Sequence, residues 1–333
     1  MRLLFFASYL EGRKQFVTIN CKSSNIGSLT HGVPQGSILG PILFCIYIND
    51  LPICLEGDDT RCDLFADDST IHTQGEHIEL VEQSLQNSLN KIDQWCNANQ
   101  MILNSSKTKS MVITTRQKRQ LKPLSLNLSV NSSNIEQVKE HRVLGVILDQ
   151  EMKWDSHLSS LCKKLSRNLY LLSKLRSYAD QNALLMFYNA HIMSHINYAS
   201  SVWDGACEVH LKKLNSLHRR AAKIIGKGLQ ISTDEKQKEL NMLSLKKQFV
   251  YNKAVMMYKV WHEEVPTYIS SLFKKACARY NSDNFLLPFS RIDLYQRSLA
   301  FSGASTWNSL SSIQKNSQSL NSFKKHLFDM LIK

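Results

Sequence analysis

Leu158, Leu161, Leu165, Leu169, Leu172 and Leu175 recur every three or four residues. That spacing places all six on one face of an α-helix and does not suit a strand, whose side chains change face at every step. Asp155 or Ser156 stands where a cap is needed, and Lys163, Lys164, Arg167 and Lys174 fall off the stripe. Asp180 is placed to cap a second helix carrying Leu184, Phe187, His191 and His195. A third runs from about Val209 through Leu214, Leu217, Ala221 and Ile225, with Lys212, Lys213, Arg219, Arg220 and Lys223 beside it. The chain beyond 150 therefore reads as all-helical.

The first 150 residues read differently. Residues 16–21 alternate, Ser23-Ser24-Asn25 suits a turn and residues 26–29 can return, which predicts a hairpin over 15–30. Gly32-Val33-Pro34-Gln35-Gly36 is a loop by composition, and Pro41 suits a helix's first turn. Residues 42–48 are apolar almost all round, as in a buried helix ended by Leu51-Pro52. Short strands at 62–65 and 70–73 are joined by Ala66-Asp67-Asp68-Ser69. A helix follows with Val81, Leu85, Leu89, Ile92 and Cys96 on one face. Residues 111–113, 124–130 and 142–149 are strand-like, and the basic run 116–122 reads most plainly as a hairpin loop, with a nuclear signal as the alternative. These patterns predict an α+β chain with a boundary near 150.

Charge follows the same boundary. Residues 1–150 hold 14 Lys+Arg against 15 Asp+Glu, and residues 151–333 hold 27 against 13, within an overall charge of +13. A solvated basic surface is one account of the second half. A polyanionic partner is the better one, because Lys and Arg pair with phosphates and release their counterions. The eight cysteines are scattered singly, without C-x-x-C pairs, so they read as buried free thiols in a reducing compartment, not as a disulfide or zinc framework. No apolar run reaches the ~18 residues that span a bilayer, and the opening apolar stretch ends at Glu11-Gly12-Arg13-Lys14 without a cleavage site. These features predict an intracellular protein, nuclear or cytoplasmic, neither secreted nor membrane-bound.

Asp67-Asp68 is the sharpest local feature. Adjacent carboxylates repel unless a cation lies between them, and a hairpin tip would project them as hard oxygen ligands for magnesium. Taken alone, an Asx turn is the plainer account of them.

They stand in an ordered set. Gly32-Val33-Pro34-Gln35-Gly36-Ser37-Ile38-Leu39-Gly40-Pro41 resembles motif B of reverse transcriptases and continues into Tyr47-Ile48-Asn49-Asp50-Leu51-Pro52, as in the jockey-like branch of non-LTR retrotransposons. Leu64-Phe65-Ala66-Asp67-Asp68 resembles that family's catalytic aspartate box, with Phe65 at the usual tyrosine position. Leu103-Asn104 with Lys107-Thr108-Lys109 resembles motif D, and Val143-Leu144-Gly145-Val146 resembles motif E. Ser8-Tyr9-Leu10 with Arg13 and Gln15 matches the lead-in to motif B. Tyr188, Asn197-Tyr198-Ala199 with Val202-Trp203, and Trp307-Asn308 with Leu310 match the family's C-terminal region.

The resemblance implies a partial right-hand palm to 150, then a basic helical thumb and C-terminal region over 151–333. It implies RNA-directed DNA synthesis from an RNA template, a DNA primer and deoxynucleoside triphosphates, with two Mg2+ or Mn2+ ions in the complete enzyme. Asp67 and Asp68 would hold metal, with Phe65, Pro34, Gln35, Gly36 and Ser37 against nucleotide and template. Leu144, Gly145 and Val146 would form the primer grip, and Lys163, Lys164, Arg167 and Lys174 would meet the nucleic-acid backbone. Lys107 would protonate or steady the leaving pyrophosphate, although a solvated lysine is an equal reading. The family's motif A supplies a further metal-binding Asp before the Ser8-Tyr9-Leu10 region. Its absence here leads to the expectation of an N-terminally truncated chain, inactive by itself; the alternative is a non-catalytic nucleic-acid-binding remnant. Asp50, Asp58, Asp59 and Asp63 are the nearby acids, and none is a convincing substitute.

Overall fold

Short alternating segments give short strands, and in the computed structural model no strand among the described residues exceeds five residues. The structure describes residues 2–121, 124–227, 230–276 and 283–333. They form two units, one of residues 1–110 with 121–138, the other of 111–120 with 139–333. The architecture is mixed α+β, with small sheets in the N-terminal half and a largely helical C-terminal half.

The first unit opens with α1 (Arg2–Leu10), followed by β1 (Lys14–Gln15), β2 (Thr18–Ile19), β3 (Lys22–Ser23) and β4 (Gly27–Ser28). β1 pairs with β4 and β2 with β3, both antiparallel, which makes the expected hairpin. Its tip, however, is Asn20-Cys21, at φ +49° and +62°, and not Ser23-Ser24-Asn25. A two-residue loop with both φ positive matches the right-handed twist of its strands, and asparagine tolerates that conformation.

α2 (Leu39–Ile48) and a 3-10 turn at Leu51–Leu55 lead to β5 (Arg61–Phe65) and β6 (Asp68–His72). α3 (Ile78–Ala98) buries Leu89, Ile92 and Cys96. These meet Ile48, Leu51 and Leu55, with Cys62, Leu64 and Ile71 of the β5–β6 hairpin packed alongside. α2 is not buried all round, since Ile42 and Ile46 are 54% and 69% exposed. Phe44 and Ile48 join the core, and Tyr47 meets Trp95 at its edge.

β7 (Lys109–Ser110) comes next, then α4 (Arg116–Leu121), β8 (Ser129–Val130), β9 (Ser133–Asn134) and β10 (Glu136–Gln137). β10 runs parallel to β7. Residues 111–113 form no strand, and only Ser129–Val130 of the expected strand 124–130 does. Side chains of α3 satisfy that segment's backbone instead. Gln86 exchanges two hydrogen bonds of 2.9 Å with Ser129, and Glu82 accepts the Asn127 N–H at 2.7 Å. The basic run from Arg116 is helical, not a hairpin loop, with Arg119 bonded to Glu151 and to the Gln150 carbonyl. Lys122 lies outside the described residues.

In the second unit, residues 142–149 are not one strand. β11 (Glu140–Val143) and β12 (Val146–Asp149) form a hairpin around Leu144-Gly145. It packs on α5 (Asp155–Leu175): Val146 joins the core of leucines from that helix, and the Ile147 N–H donates to His157 Nδ1 at 3.3 Å. The entry to α5 is capped from β12, because the Asp149 carboxylate accepts the N–H groups of Glu151, Lys153 and Trp154. Neither Asp155 nor Ser156 caps it.

Asp180 caps α6 (Gln181–Tyr188) as expected, by accepting the Ala183 N–H at 2.8 Å. A π-helical turn at Asn189–Met193 continues into α7 (Ser194–Asn197), and α8 (Ser200–Trp203), α9 (Glu208–Ile225), α10 (Thr233–Glu239) and α11 (Leu245–Trp261) follow. The leucine stripe of α5 packs with Leu214 and Ala221 of α9 in one core. α12 (Thr267–Ser270), α13 (Asp293–Arg297), α14 (Leu299–Asn308), α15 (Ser312–Lys315) and α16 (Leu320–Ile332) complete the unit. A second core there gathers Met257, Trp307 and Phe323.

Candidate active site

The β5–β6 register brings Phe65 opposite Asp68, which leaves Ala66 and Asp67 as the whole loop. Asp68 is thus the first residue of β6, not a loop residue. Ala66 stands at φ +51°, a conformation that costs a residue with a Cβ about 1–2 kcal/mol. Two hydrophobic strand faces fix the hairpin on α3 and α2, and the short loop lifts two adjacent acids clear of them.

Both carboxylates are exposed. Among the described residues, neither makes an ion pair or a side-chain hydrogen bond. The Asx turn that would have explained Asp67 is therefore not formed. Of the neighbouring acids, Asp58 binds Lys91 at 2.8 Å, and Asp63 faces His72 across the hairpin at 3.5 Å. No group of three or more His, Cys, Asp or Glu side chains gathers to hold a metal ion among the described residues. The tip offers free hard-oxygen ligands, which fit one divalent ion; two ions need more donors than two carboxylates.

The loop before α2 is braced through its own side chains. Ser37 Oγ donates to the Pro34 carbonyl at 2.8 Å, accepts the Gly40 N–H at 3.0 Å, and accepts the Tyr9 hydroxyl at 2.6 Å. Arg13 ties the loop's base by donating to the His31 and Gly32 carbonyls. Gly36 has φ +80°, where glycine carries no steric penalty, and Gln35 projects into solvent. Ser37 is thus a brace of the loop, while Gln35 and Gly36 are its open surface. Tyr9 and Arg13 belong to this apparatus, although sequence reading gave them no role.

Lys107 is exposed and sits in a turn organised by Asn104, whose side-chain oxygen accepts the Lys107 N–H at 3.1 Å. Among the described residues no hydrogen bond or ion pair joins Lys107 or the 34–37 loop to the aspartate tip. Leu144, Gly145 and Val146 lie in the other unit, Leu144 and Gly145 as a turn with φ of +46° and +85°. Lys163, Lys164, Arg167 and Lys174 are all exposed on α5, opposite its buried leucines. Lys174 lies over the Tyr170 ring, 5.5 Å from its centroid.

The described cysteines join no group of side chains that could hold a metal ion. Burial pushes the Cys62 thiol up to about 11 and raises Cys54, Cys96 and Cys162, which keeps all four protonated. Cys96 and Cys162 are buried as expected; Cys21, Cys45 and Cys207 are exposed, and Cys277 lies outside the described residues.

Residues 5–148 match the family described as reverse transcriptase (RNA-dependent DNA polymerase). Over that segment the chain is similar to the reverse transcriptases of non-LTR retrotransposons. It is 28% identical to a probable RNA-directed DNA polymerase from transposon X-element of Drosophila melanogaster, over 66% of this chain and 24% of that protein. It is 25% identical to the RNA-directed DNA polymerase from mobile element jockey of Drosophila funebris, over 80% of this chain and 29% of the relative. A probable RNA-directed DNA polymerase from transposon BS of Drosophila melanogaster is 26% identical over 66% of the chain and 25% of its own length. The matched stretch thus spans 24–29% of the length of these relatives. The family uses a divalent metal and nucleic-acid substrates. No helix among the described residues is long and apolar enough to cross a membrane.

Proposed function

We propose that this chain carries part of the palm and the nucleic-acid-guiding helices of an RNA-directed DNA polymerase from a mobile element. The observation that carries the reading is the β5–β6 tip, where the unpaired carboxylates of Asp67 in the loop and Asp68 at the start of β6 belong to consecutive exposed residues. Asp67 and Asp68 would hold Mg2+ or Mn2+; bound metal supplies activation of an attacking primer oxygen and stabilisation of the leaving one. Phe65, exposed beside the tip, would lie under the incoming deoxynucleoside triphosphate. Pro34 and Ser37 shape a loop whose open Gln35 and Gly36 would face nucleotide and template. Lys107 would steady the departing pyrophosphate. Leu144, Gly145 and Val146 would grip the primer, and the α5 cations would hold the duplex backbone.

A second reading, nucleic-acid binding without catalysis, is favoured by one observation: no third ligand joins the two aspartates among the described residues. Manganese titration followed by water-proton relaxation tests the metal assignment. Residues 1–333 are expected to bind Mn2+ in roughly the millimolar range, as weak sites with few carboxylates do. Asp67→Asn with Asp68→Asn should abolish that binding, and equal binding by the double variant would remove the assignment.

A further inference from the structure

The turn between β11 and β12 consists of two left-handed residues. Gly145 adopts that conformation freely, but Leu144 has a Cβ and does so against its preference. The turn is held from a point 54 residues further on. Tyr198 donates its hydroxyl to the Leu144 carbonyl at 2.5 Å. Its ring lies 3.5 Å from where a Cβ on Gly145 would stand. Tyr198 is itself 54% exposed, so core filling does not account for it.

The backbone beneath Tyr198 is fixed. Ala199 turns left-handed at φ +50°, and the Tyr198 carbonyl accepts the Trp203 indole N–H at 3.0 Å. Trp203 is fully buried against His157 and Phe249. Asn252 of α11 donates to Asn197 Oδ1 at 3.0 Å and to Ser200 Oγ at 2.9 Å. His157 in turn accepts the Ile147 N–H of β12. Trp203 therefore anchors both ends of one arrangement, Tyr198 directly and the hairpin through His157.

From this geometry we infer that Tyr198 is a positioning residue, which sets the Leu144-Gly145 turn at a fixed place on the helical unit so that it can bear on a primer strand. The inference rests on the reading of residues 144–146 as a primer grip. Its partner is the 3′ end of a nucleic-acid primer paired to a template. The partly exposed Leu144 side chain is the surface offered, and the hydroxyl of Tyr198 fixes that surface through the carbonyl behind it.

The test uses residues 1–333 and a primer–template duplex with 4-thiothymidine at the primer 3′ end, photocrosslinked and mapped by peptide. The intact chain should crosslink within residues 143–146. Tyr198→Phe, which removes one hydrogen bond and keeps the ring, should lower the yield there about fivefold. Its overall duplex affinity should stay unchanged, and its thermal midpoint should fall by no more than one hydrogen bond contributes, a separation that general destabilisation would not produce. Tyr198→Ala should lower the yield further. Wild-type yield from both variants would overturn the inference. A wild-type chain that binds duplex but crosslinks elsewhere would instead overturn the primer-grip reading and this inference with it. Failure of the wild type to bind duplex at all would remove the nucleic-acid reading beneath both.

Discussion

His218 lies at the centre of a buried polar chain, with the Tyr188 hydroxyl 2.7 Å from Nε2 and the Gln237 amide nitrogen 2.9 Å from Nδ1. With Gln237 donating, Nδ1 is the acceptor and the imidazole is neutral. Burial, reinforced by Arg219, pulls its pKa down to about 4. An unfolded histidine titrates near ~6.5, so below that pH the unfolded chain takes up a proton that the folded chain refuses. Stability from this residue is fully present above about pH 6.5, declines as pH falls toward 4, and loses on the order of 3 kcal/mol across that window. The thermal midpoint should therefore drop between pH 7 and 4.5. His157 and His195, also lowered by burial, add losses of the same sign. His218→Gln should start less stable at pH 8 yet lose less over the same window, and parallel curves for the two proteins would contradict the assignment. Nothing in the sequence marks His218 for this place, since its partners lie 30 and 19 residues away. The place of Asp67 and Asp68 at the end of a hairpin was legible because it is carried by order along the chain: a loop, a helix, then a bend between two short strands. Ser37 was legible as part of that loop but not as its brace, which needs Tyr9 from 28 residues upstream.

α5 shows what a helix can reveal in advance. Its buried face and its cations were readable because a period of 3.6 residues repeats over the 21 residues of the helix. The same holds for α9 and for the Asp180 cap of α6. The strands were less legible, because two to five residues contain too little alternation to set a boundary or a register. The run 142–149 looks like one strand since its turn, Leu144-Gly145, has an apolar first residue in a conformation that Asn or Gly normally supplies. α4 was hidden for another reason: Arg119 is secured by Glu151 and Gln150, 32 and 31 residues away. Two predictions belong to α5. Leu165 is fully buried, and Leu165→Ala should cost about 2–5 kcal/mol, read as a shift in the chemical-denaturation midpoint. Lys163, Lys164, Arg167 and Lys174 form no ion pair among the described residues, so their charge is available to phosphates. Reversing all four to Glu should weaken duplex binding strongly at 50 mM salt. It should also flatten the dependence of log affinity on log salt, which changes by about 0.9 for each phosphate contact removed. An unchanged slope, measured by fluorescence anisotropy from 50 to 200 mM, would place the nucleic acid on another face.

The whole chain joins a nearly neutral half, with 14 Lys+Arg against 15 Asp+Glu, to a half with 27 Lys+Arg against 13 Asp+Glu. On the reading proposed above, holding a polyanion and transferring a nucleotide would fall to different parts of it, and the two can be separated by experiment. Binding needs only the cations of the helical unit. Chemistry needs metal ions placed to a fraction of an ångström, because a misplacement of about 1 Å costs on the order of a hundredfold in rate. Two carboxylates on one exposed tip, with no third ligand among the described residues, do not define two such positions. The polypeptide of residues 1–333 should therefore bind primer–template in a salt-dependent manner and yet fail to extend the primer with deoxynucleoside triphosphates and either Mg2+ or Mn2+. Fusing to it a segment of a jockey relative that carries the family's motif A aspartate should bring extension within reach of detection. In that fusion Asp67→Asn should eliminate synthesis while leaving duplex affinity intact. Gel-resolved extension beside anisotropy on the same samples separates the outcomes. Robust synthesis by residues 1–333 that depends on Asp67 would show that the tip is sufficient. Synthesis by the fusion that survives loss of both Asp67 and Asp68 would show that the catalytic metal is held elsewhere.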